Sequence, residues 1–159
     1  MTGLVGFDGA QLIALAHIGL AMLLGAVIGY EREWQRKPAG LRTHMLVSGA
    51  AAFLVTLGEV IILQHDRPEL VPAVRADPLR ILSAVITGVG FLGAGTIIRR
   101  QRGEEHVEGL TTAASLLMAS AIGAAVALAQ TGVALGATAL VYVTLRALGG
   151  LERRIHRRS

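Results

Sequence analysis

The chain has 159 residues, of which 53% are hydrophobic and 16% are charged, and its formal net charge is +4. It contains no cysteine, which excludes disulfides, thiolate catalysis and cysteine-based metal sites. Blocks of about 20 apolar residues alternate with short charged segments, a pattern typical of an all-α polytopic membrane protein. The basic residues lie beside the apolar blocks, where membrane topology explains them better than nucleic-acid binding. No nucleic-acid partner is therefore expected.

Five membrane-spanning helices are predicted from the apolar blocks. The third helix begins near Asp77-Pro78, because an aspartate cap and a proline in the first turn mark a helix start. The apolar run from Leu110 to Arg146 is too long for one span, at about 1.5 Å per residue across a core of about 30 Å, and divides at Gln130-Thr131-Gly132. The predicted spans are residues 10–30, 43–64, 79–98, 110–129 and 132–148, in a transmembrane domain at 1–150 followed by a basic tail at 151–159.

The distribution of lysine and arginine predicts the orientation. Most of the 15 basic residues fall in the first loop, the third loop and the tail, and the positive-inside rule puts these segments in the cytoplasm. The N-terminus is then outside and the C-terminus is cytoplasmic. The N-terminus has no basic region ahead of the first apolar block, so that block is expected to be a retained span rather than a cleaved signal peptide.

A charged segment from Gly29 to Thr43 separates the first two spans, and part of it recurs later in the chain. Gly40-Leu41-Arg42-Thr43 opens the second span and Gly109-Leu110-Thr111-Thr112 opens the fourth, each after a span that ends in charge. The match in position and in residues indicates an internal repeat. The predicted fold is therefore two parallel helical hairpins followed by a fifth helix.

The same segments resemble the signature of the MgtC/SapB family of bacterial membrane proteins. The blocks that carry the resemblance are Glu31-Arg32-Glu33-Trp34 with Pro38-Ala39-Gly40-Leu41-Arg42-Thr43, then Asp77-Pro78-Leu79-Arg80 with Gly88-Val89-Gly90-Phe91-Leu92-Gly93-Ala94-Gly95, then Gly109-Leu110-Thr111-Thr112-Ala113-Ala114. The resemblance implies a dimeric inner-membrane protein of about five helices, linked to growth at low magnesium and to membrane partners. No enzyme reaction is established for the family, so no catalytic residue and no cofactor are expected. Some members continue into a soluble cytoplasmic domain, whose function is not expected of a chain that stops at Ser159.

The predicted functional site is a polar cluster at the cytoplasmic ends of the spans, made of Glu31, Arg32, Glu33, Arg42, Thr43, Arg99, Thr111 and Thr112. Because Pro38 and Gly40 reverse the chain, Arg42 is expected beside Glu33. One interpretation is an interfacial collar, in which aromatic and basic side chains contact lipid headgroups and ion pairs hold the hairpin. The other is a polar vestibule in which Glu31 and Glu33 attract a cation or a basic group of a partner. No particular metal site is assigned.

Two ionisable residues lie within the predicted spans. His17 and Glu59 fall in the outer third of the first and second spans. They form either a pair that relays protons or separate groups that stay hydrated near the outer headgroups.

The third span carries four glycines, Gly88, Gly90, Gly93 and Gly95. They either provide a close-packed helix face or break the helix beside a cavity. Their G-x-G-x-x-G spacing is not a dinucleotide site, because the flanking sequence is apolar and lacks the βαβ context that such a site requires.

These features favour a small inner-membrane regulatory or interaction protein that contacts membrane lipids, a second copy of itself and other membrane proteins. The alternative is a transporter or channel-like protein for a cation or small solute, with its path between the two hairpins. The two differ in one structural expectation. A transporter needs an ionisable or broken-helix site that water reaches near the membrane midplane, whereas an interaction protein can have a dry interior.

Overall fold

The computed structural model describes residues 8–65, 78–99 and 107–155. Its helices are α1 (Gly9–Trp34), α2 (Leu41–His65), α3 (Pro78–Ala94), α4 (Leu110–Ala127) and α5 (Thr131–Ile155). Two-residue strands, β1 (Ile98–Arg99) and β2 (Val107–Glu108), pair antiparallel between α3 and α4. The predicted all-α bundle of five helices is confirmed, with this short strand pair as an addition. The helix cap predicted at Asp77 and the end of the basic tail lie outside the described residues.

The helices differ in length from the predicted spans. Three are long and apolar enough to cross a membrane, namely Gly9–Trp34, Leu41–Ile62 and Leu110–Ala127, whereas the apolar parts of α3 and α5 are shorter, at Leu79–Ala94 and Thr131–Ala147. α1 continues past residue 30, because Glu31 and Arg32 are buried against other helices instead of entering a loop. α3 ends at Ala94, where a turn leads the chain into β1.

α1 and α2 form an antiparallel hairpin whose close approach depends on two glycines one turn apart in α1. A Cβ atom on Gly25 would lie 2.5 Å from the carbonyl oxygen of His44, and one on Gly29 would lie 2.7 Å from Cα of Leu41. Any side chain at these positions would push the two backbones apart. The Gly-x-x-x-Gly spacing therefore brings α1 directly against the first turns of α2.

α4 is the central helix and packs against each of the other four. Its face toward α2 is built from small buried residues, Ser115, Ala119 and Gly123. Gly123 of α4 packs against the backbone of Ser48 of α2. Closer to the start of both helices, Ser115 of α4 lies beside His44 of α2. These contacts advance in the same direction along both helices, so α2 and α4 are parallel, as predicted for the second helices of two hairpins.

The hydrophobic core lies between α1, α2, α4 and α5. Ala21 and Ile28 of α1, Ala52 of α2 and Ile122 of α4 are each at most 1% exposed. Large apolar side chains cover the outside instead, with Phe91 of α3 at 85% exposure. An apolar exterior around small packing residues is the arrangement of a helix bundle in lipid.

Both copies of the repeated Gly-Leu-x-Thr sequence mark helix starts. α2 begins at Leu41 and α4 begins at Leu110, each directly after the glycine. Gly109 has a φ of 99°, in the left-handed region, and its Cα faces the carbonyl oxygen of Thr96. A side chain is excluded at Gly109 on both grounds.

α1 and α4 end in the same hydrogen-bonded turn. The amides of Arg36 and Lys37 after α1, and of Ala129 and Gln130 after α4, donate to carbonyl groups in the last turn of the helix. This pair of bonds is the Schellman motif, in which the second residue after the helix adopts a left-handed conformation that favours glycine. Here that residue is Arg36, with φ 53°, and Ala129, with φ 56°.

Candidate functional site

Five polar side chains are buried where the ends of α1, α2 and α4 meet, and we call them the buried polar cluster. They are Glu31, Arg32, His44, Thr112 and Ser115, each at most 3% exposed. The end of α1 supplies the two charged residues, the start of α2 supplies the histidine, and the start of α4 supplies the two hydroxyls. The glycines of α1 position them together, because they let the start of α2 lie directly on α1.

Hydrogen bonds between helices hold the cluster. Nη2 of Arg32 donates to Oγ1 of Thr112 at 3.1 Å, which joins α1 to α4. Nε2 of His44 lies 3.0 Å from Oγ of Ser115, which joins α2 to α4. A further bond joins α1 to the residue that follows it, where the side-chain amide of Gln35 donates to Oε1 of Glu31. The cluster therefore ties all three helices at one end of the bundle.

The hydrogen bonds of His44 depend on where the single hydroxyl hydrogen of Ser115 points. Nδ1 of His44 lies 2.9 Å from the carbonyl oxygen of Gly40, which can only accept, so Nδ1 carries a hydrogen. Oγ of Ser115 also donates to the carbonyl oxygen of Thr112 at 2.8 Å. Since a serine hydroxyl has one hydrogen, all three bonds coexist only when Nε2 of His44 is protonated as well. With a neutral His44, the hydroxyl of Ser115 turns from Thr112 to Nε2.

Two polar atoms of the cluster lack a hydrogen-bond partner among the described residues, Oε2 of Glu31 and Nε of Arg32. One is an acceptor and the other is a donor, and the residues carry opposite charges next to each other in the chain. Their attraction offsets part of the cost of removing each charge from water. Within residues 8–65, 78–99 and 107–155, no three His, Asp or Glu side chains form a group that could hold a metal ion.

The structure brings three of the residues predicted from the sequence into the buried polar cluster, namely Glu31, Arg32 and Thr112. The others lie apart from it: Glu33, Arg42 and Thr111 are exposed, Thr43 is half-buried, and Arg99 belongs to β1, with a side chain outside the described part of the structure.

Glu33 is hydrogen-bonded to the start of α2, at the residue before Arg42. Its Oε2 accepts a hydrogen bond from the backbone amide of Leu41 at 2.8 Å. The turn does reverse the chain onto Glu33, but the group bonded there is the amide of Leu41 and not the side chain of Arg42. Glu33 thus satisfies an amide in the first turn of α2, which has no partner within the helix.

The predicted pair of His17 and Glu59 is not joined by a hydrogen bond or ion pair in the described part of the chain. His17 is half-buried in α1, and Glu59 is exposed on α2. Of the two histidines whose burial the structure describes, the buried one is His44, at the opposite end of the hairpin.

The glycines of α3 have different surroundings. α3 is continuous across Gly88 and Gly90, and nothing lies within 4 Å of a Cβ atom built on either of them. Gly93 packs on α4, where its Cβ atom would lie 3.2 Å from Cβ of Ala113. Gly95 follows the end of the helix. Close packing through the glycine face is therefore seen at Gly93.

His44, Ser115 and Gln35 were not predicted as members of a site. Helical spacing is the signal that points to them. Gln35 is one turn beyond Glu31, and Ser115 is one turn beyond Thr112, so each shares a helix face with a residue that was predicted. His44 lies one turn beyond Gly40, whose carbonyl group it contacts.

Comparison with known proteins gives the family. The sequence profile of the MgtC family matches residues 18–154. The chain is 41% identical over 122 residues to Protein MgtC of Salmonella typhimurium, covering 76% of this chain and 46% of that protein. It is 41% identical over 109 residues to the putative magnesium transporter YhiD of Escherichia coli, covering 65% and 46%. It is 35% identical over 153 residues to an uncharacterized protein of Haemophilus influenzae, covering 96% and 63%. No solved structure matches.

The long apolar helices, the small-residue packing and the buried polar cluster define a helical membrane protein. The match over residues 18–154 is more specific: the chain belongs to the MgtC family. The resemblance drawn from the sequence blocks is thereby confirmed. The chain spans 46% to 63% of the length of the relatives named above.

Proposed function

We propose that the chain is a regulatory protein of the bacterial inner membrane that contacts other membrane proteins and serves magnesium or ion homeostasis. It forms a homodimer, and its α1–α2 turn faces the cytoplasm, as the distribution of basic residues predicts. The partners are membrane proteins and lipids, and the chain catalyses no reaction.

One observation carries this proposal: polar side chains of the cluster bond to one another, and the buried hydroxyls beyond them, on Ser48, Ser120 and Thr138, donate to backbone carbonyl groups of the helices. The arginine and histidine of the cluster are hydrogen-bonded to hydroxyls of α4. Toward the middle of the bundle, Ala21, Ala52 and Ile122 are each at most 1% exposed. Ion conduction needs groups that bind the ion weakly along a hydrated path. A polar cluster that joins three helices above a closely packed, mostly apolar core supports a rigid frame for contacts instead.

The surface next to the cluster offers a place for such contacts. Lys37 of the turn and Arg42 of the first turn of α2 are both exposed, and we call them the basic rim. Positive charge at the edge of a membrane protein attracts acidic segments of a partner and raises the rate at which the two meet. An acidic cytoplasmic segment of a second membrane protein is therefore the proposed partner of the basic rim.

The names of the relatives support the link to magnesium, and one of them also supports the alternative. The Escherichia coli relative is named a putative magnesium transporter. One feature of this chain favours cation transport: Oε2 of Glu31 is buried without a hydrogen-bond donor in the described part of the structure. Carboxylate oxygens are ligands that Mg²⁺ takes. Transport of a cation is thus the second candidate function.

Reconstitution into liposomes separates the two functions. Magnesium and proton flux are measured for the wild-type chain, for Glu31→Gln and for Glu59→Gln, which changes an exposed carboxylate and serves as the matched control. The regulatory proposal expects no flux above that of empty liposomes. Flux that Glu31→Gln abolishes and Glu59→Gln preserves would overturn it in favour of transport.

The contact surface is tested in the native bacterium by crosslinking from the basic rim. The double variant Lys37→Glu with Arg42→Glu reverses the rim charge, and Arg80→Glu, at an exposed position on α3, is the matched control. We expect the wild type and Arg80→Glu to capture the same membrane protein and to support growth at low magnesium. The rim variant should lose both properties. Capture and growth that survive the charge reversal would contradict the proposed surface.

A further inference from the structure

A cleft lies beside the α1–α2 turn, and its lining shares no residue with the buried polar cluster or the basic rim. It has a volume of about 560 Å³ and is lined by Tyr30, Glu33, Trp34, Arg36 and Leu41. Two aromatic residues, an acidic residue, a basic residue and a leucine thus surround one space. Its volume is within the range of small-ligand sites, about 300–1,000 Å³.

The aromatic side of the cleft suits a cation. Tyr30 and Trp34 share a face of α1, with ring centroids 6.5 Å apart and ring planes at 32°. They are 58% and 74% exposed, so their faces are open to a ligand. They follow the apolar part of α1, where aromatic side chains of membrane proteins meet lipid headgroups. Two such rings attract an alkylammonium group through cation–π interactions.

Glu33 adds a negative charge whose position is fixed. Oε2 accepts the amide of Leu41 at 2.8 Å, and a Cβ atom on Gly40 would lie 2.8 Å from the same oxygen. The turn therefore packs around the carboxylate on one side. Oε1 makes no hydrogen bond in the described part of the chain and is left for a ligand. A carboxylate beside aromatic rings favours a primary ammonium, which donates hydrogen bonds as well as attracting the rings.

Arg36 supplies the opposite charge, and its backbone has a left-handed conformation that is unfavourable for a residue with a side chain. Its φ of 53° is left-handed, and glycine is the residue that this Schellman position favours. Ala129 occupies the matching position after α4, with φ 56° and only a methyl group. Arg36, in contrast, is one of the residues that line the cleft. Guanidinium groups bind phosphate in a bidentate manner, so the cleft holds one group for a cation and one for a phosphate.

We infer that this cleft binds the headgroup of a zwitterionic phospholipid with a primary ammonium, such as phosphatidylethanolamine. The ammonium lies between the two rings and Glu33, and the phosphate meets Arg36. The acyl chains follow the exposed apolar surface of α1, where Leu23 is 62% exposed. An anionic lipid without an ammonium leaves Glu33 unpaired, and a free cation leaves Arg36 unpaired. The inference stands independently of the proposed function.

The only tryptophan of the chain is Trp34, so its fluorescence reports directly on the cleft. The purified chain in maltoside micelles is titrated with phosphatidylethanolamine, with phosphatidylglycerol of the same acyl chains, and with water-soluble glycerophosphoethanolamine. We expect a saturable change in emission with phosphatidylethanolamine and affinity at least about tenfold weaker for the other two. Glu33→Gln should weaken binding of phosphatidylethanolamine by about tenfold. Tyr30→Leu should weaken it as well, and Tyr30→Phe should restore it because the ring returns.

A matched pair of variants separates binding from folding. Arg36→Gly and Ala129→Gly each place glycine at the left-handed position of a Schellman motif, so both should raise the thermal unfolding temperature. Only Arg36→Gly should also lose affinity for phosphatidylethanolamine, by about tenfold. Unchanged lipid affinity in Arg36→Gly would show that Arg36 does not bind the phosphate and would overturn the inference.

The lipid arms of the titration also test the assignment. Equal affinity for phosphatidylethanolamine and phosphatidylglycerol, or wild-type affinity in Glu33→Gln, would overturn recognition of the ammonium. Equal affinity for glycerophosphoethanolamine and the intact lipid would assign the cleft to a soluble phosphoester and overturn a lipid ligand.

Discussion

Replacing Thr112 by valine removes one hydroxyl from the buried polar cluster and keeps the branched shape of the side chain. The lost Oγ1 atom accepts Nη2 of Arg32 at 3.1 Å. Arg32 is 3% exposed, and its Nε already lacks a partner among the described residues, so the variant leaves a second buried donor unsatisfied. A hydrogen bond to a charged group contributes about 1.5–3 kcal/mol. Thr112→Val should therefore raise the unfolding equilibrium constant about 10- to 100-fold.

The measurement is the free energy of unfolding in mixed micelles of maltoside and dodecyl sulfate, followed by far-UV circular dichroism. Thr111→Val is the matched control, because Thr111 is the preceding residue of the same helical turn and is exposed. Its free energy of unfolding should stay within about 0.5 kcal/mol of the wild type. Trp34 fluorescence provides a second probe at the end of α1, and its transition should shift together with the dichroism.

A double-mutant cycle with Arg32→Met isolates the bond itself. Methionine removes the guanidinium, so Thr112→Val should cost less in that background. Residues in direct contact couple by about 0.5–3 kcal/mol, and a value in this range is expected. Equal losses in the two threonine variants, or a coupling energy near zero, would refute the reasoning that this bond holds α1 to α4.

Gly29→Ala should lower the free energy of unfolding by about 1–3 kcal/mol, because the new methyl group meets the backbone of α2. Gly19→Ala in the same helix, where nothing lies within 4 Å of the new atom, should be neutral or stabilising by up to about 1 kcal/mol, and thermal melts in micelles compare the two. His44→Ala should cost about 3–5 kcal/mol through a cavity and lost hydrogen bonds, whereas His17→Ala should cost less than about 1 kcal/mol; similar melting temperatures for the two would contradict the buried role of His44. Gly109→Ala forces a side chain into a left-handed backbone with φ 99° and should cost at least about 1–2 kcal/mol, so a wild-type denaturation midpoint would count against the strain.

The arrangement of helices was predictable because its causes are local. The length of each apolar run indicates a helix, and the repeated Gly-Leu-x-Thr sequence marks the starts of α2 and α4. Helix ends were less predictable, since they depend on contacts far along the chain. α1 runs through Glu31 and Arg32 because α4 helps to bury them, and no local measure of hydrophobicity contains that contact.

The site was predictable in part, for a related reason. Charge density pointed to Glu31 and Arg32, and the repeated Gly-Leu-x-Thr sequence pointed to Thr112. His44 and Ser115 carry no such local mark, because a single histidine or serine in an apolar block is compatible with many surroundings. Their pairing follows from the register between two helices that lie far apart in sequence. The glycines of α1 and α4 set that register, and it emerges only when the helices are packed.

The hydrogen bonds between helices can form only in a certain order as the protein is synthesised. Arg32 precedes its partner Thr112 by 80 residues, and His44 precedes Ser115 by 71. Chains are made from the N-terminus, so α1 and α2 leave the ribosome before either partner exists. Until α4 arrives, Arg32 lacks its bond to Thr112, and His44 lacks its bond to Ser115 and keeps only the contact with Gly40. The insertion of α4 is therefore the step that completes the hydrogen bonds of the first hairpin. A nascent chain interrupted before α4 keeps polar groups of Arg32 and His44 without these bonds.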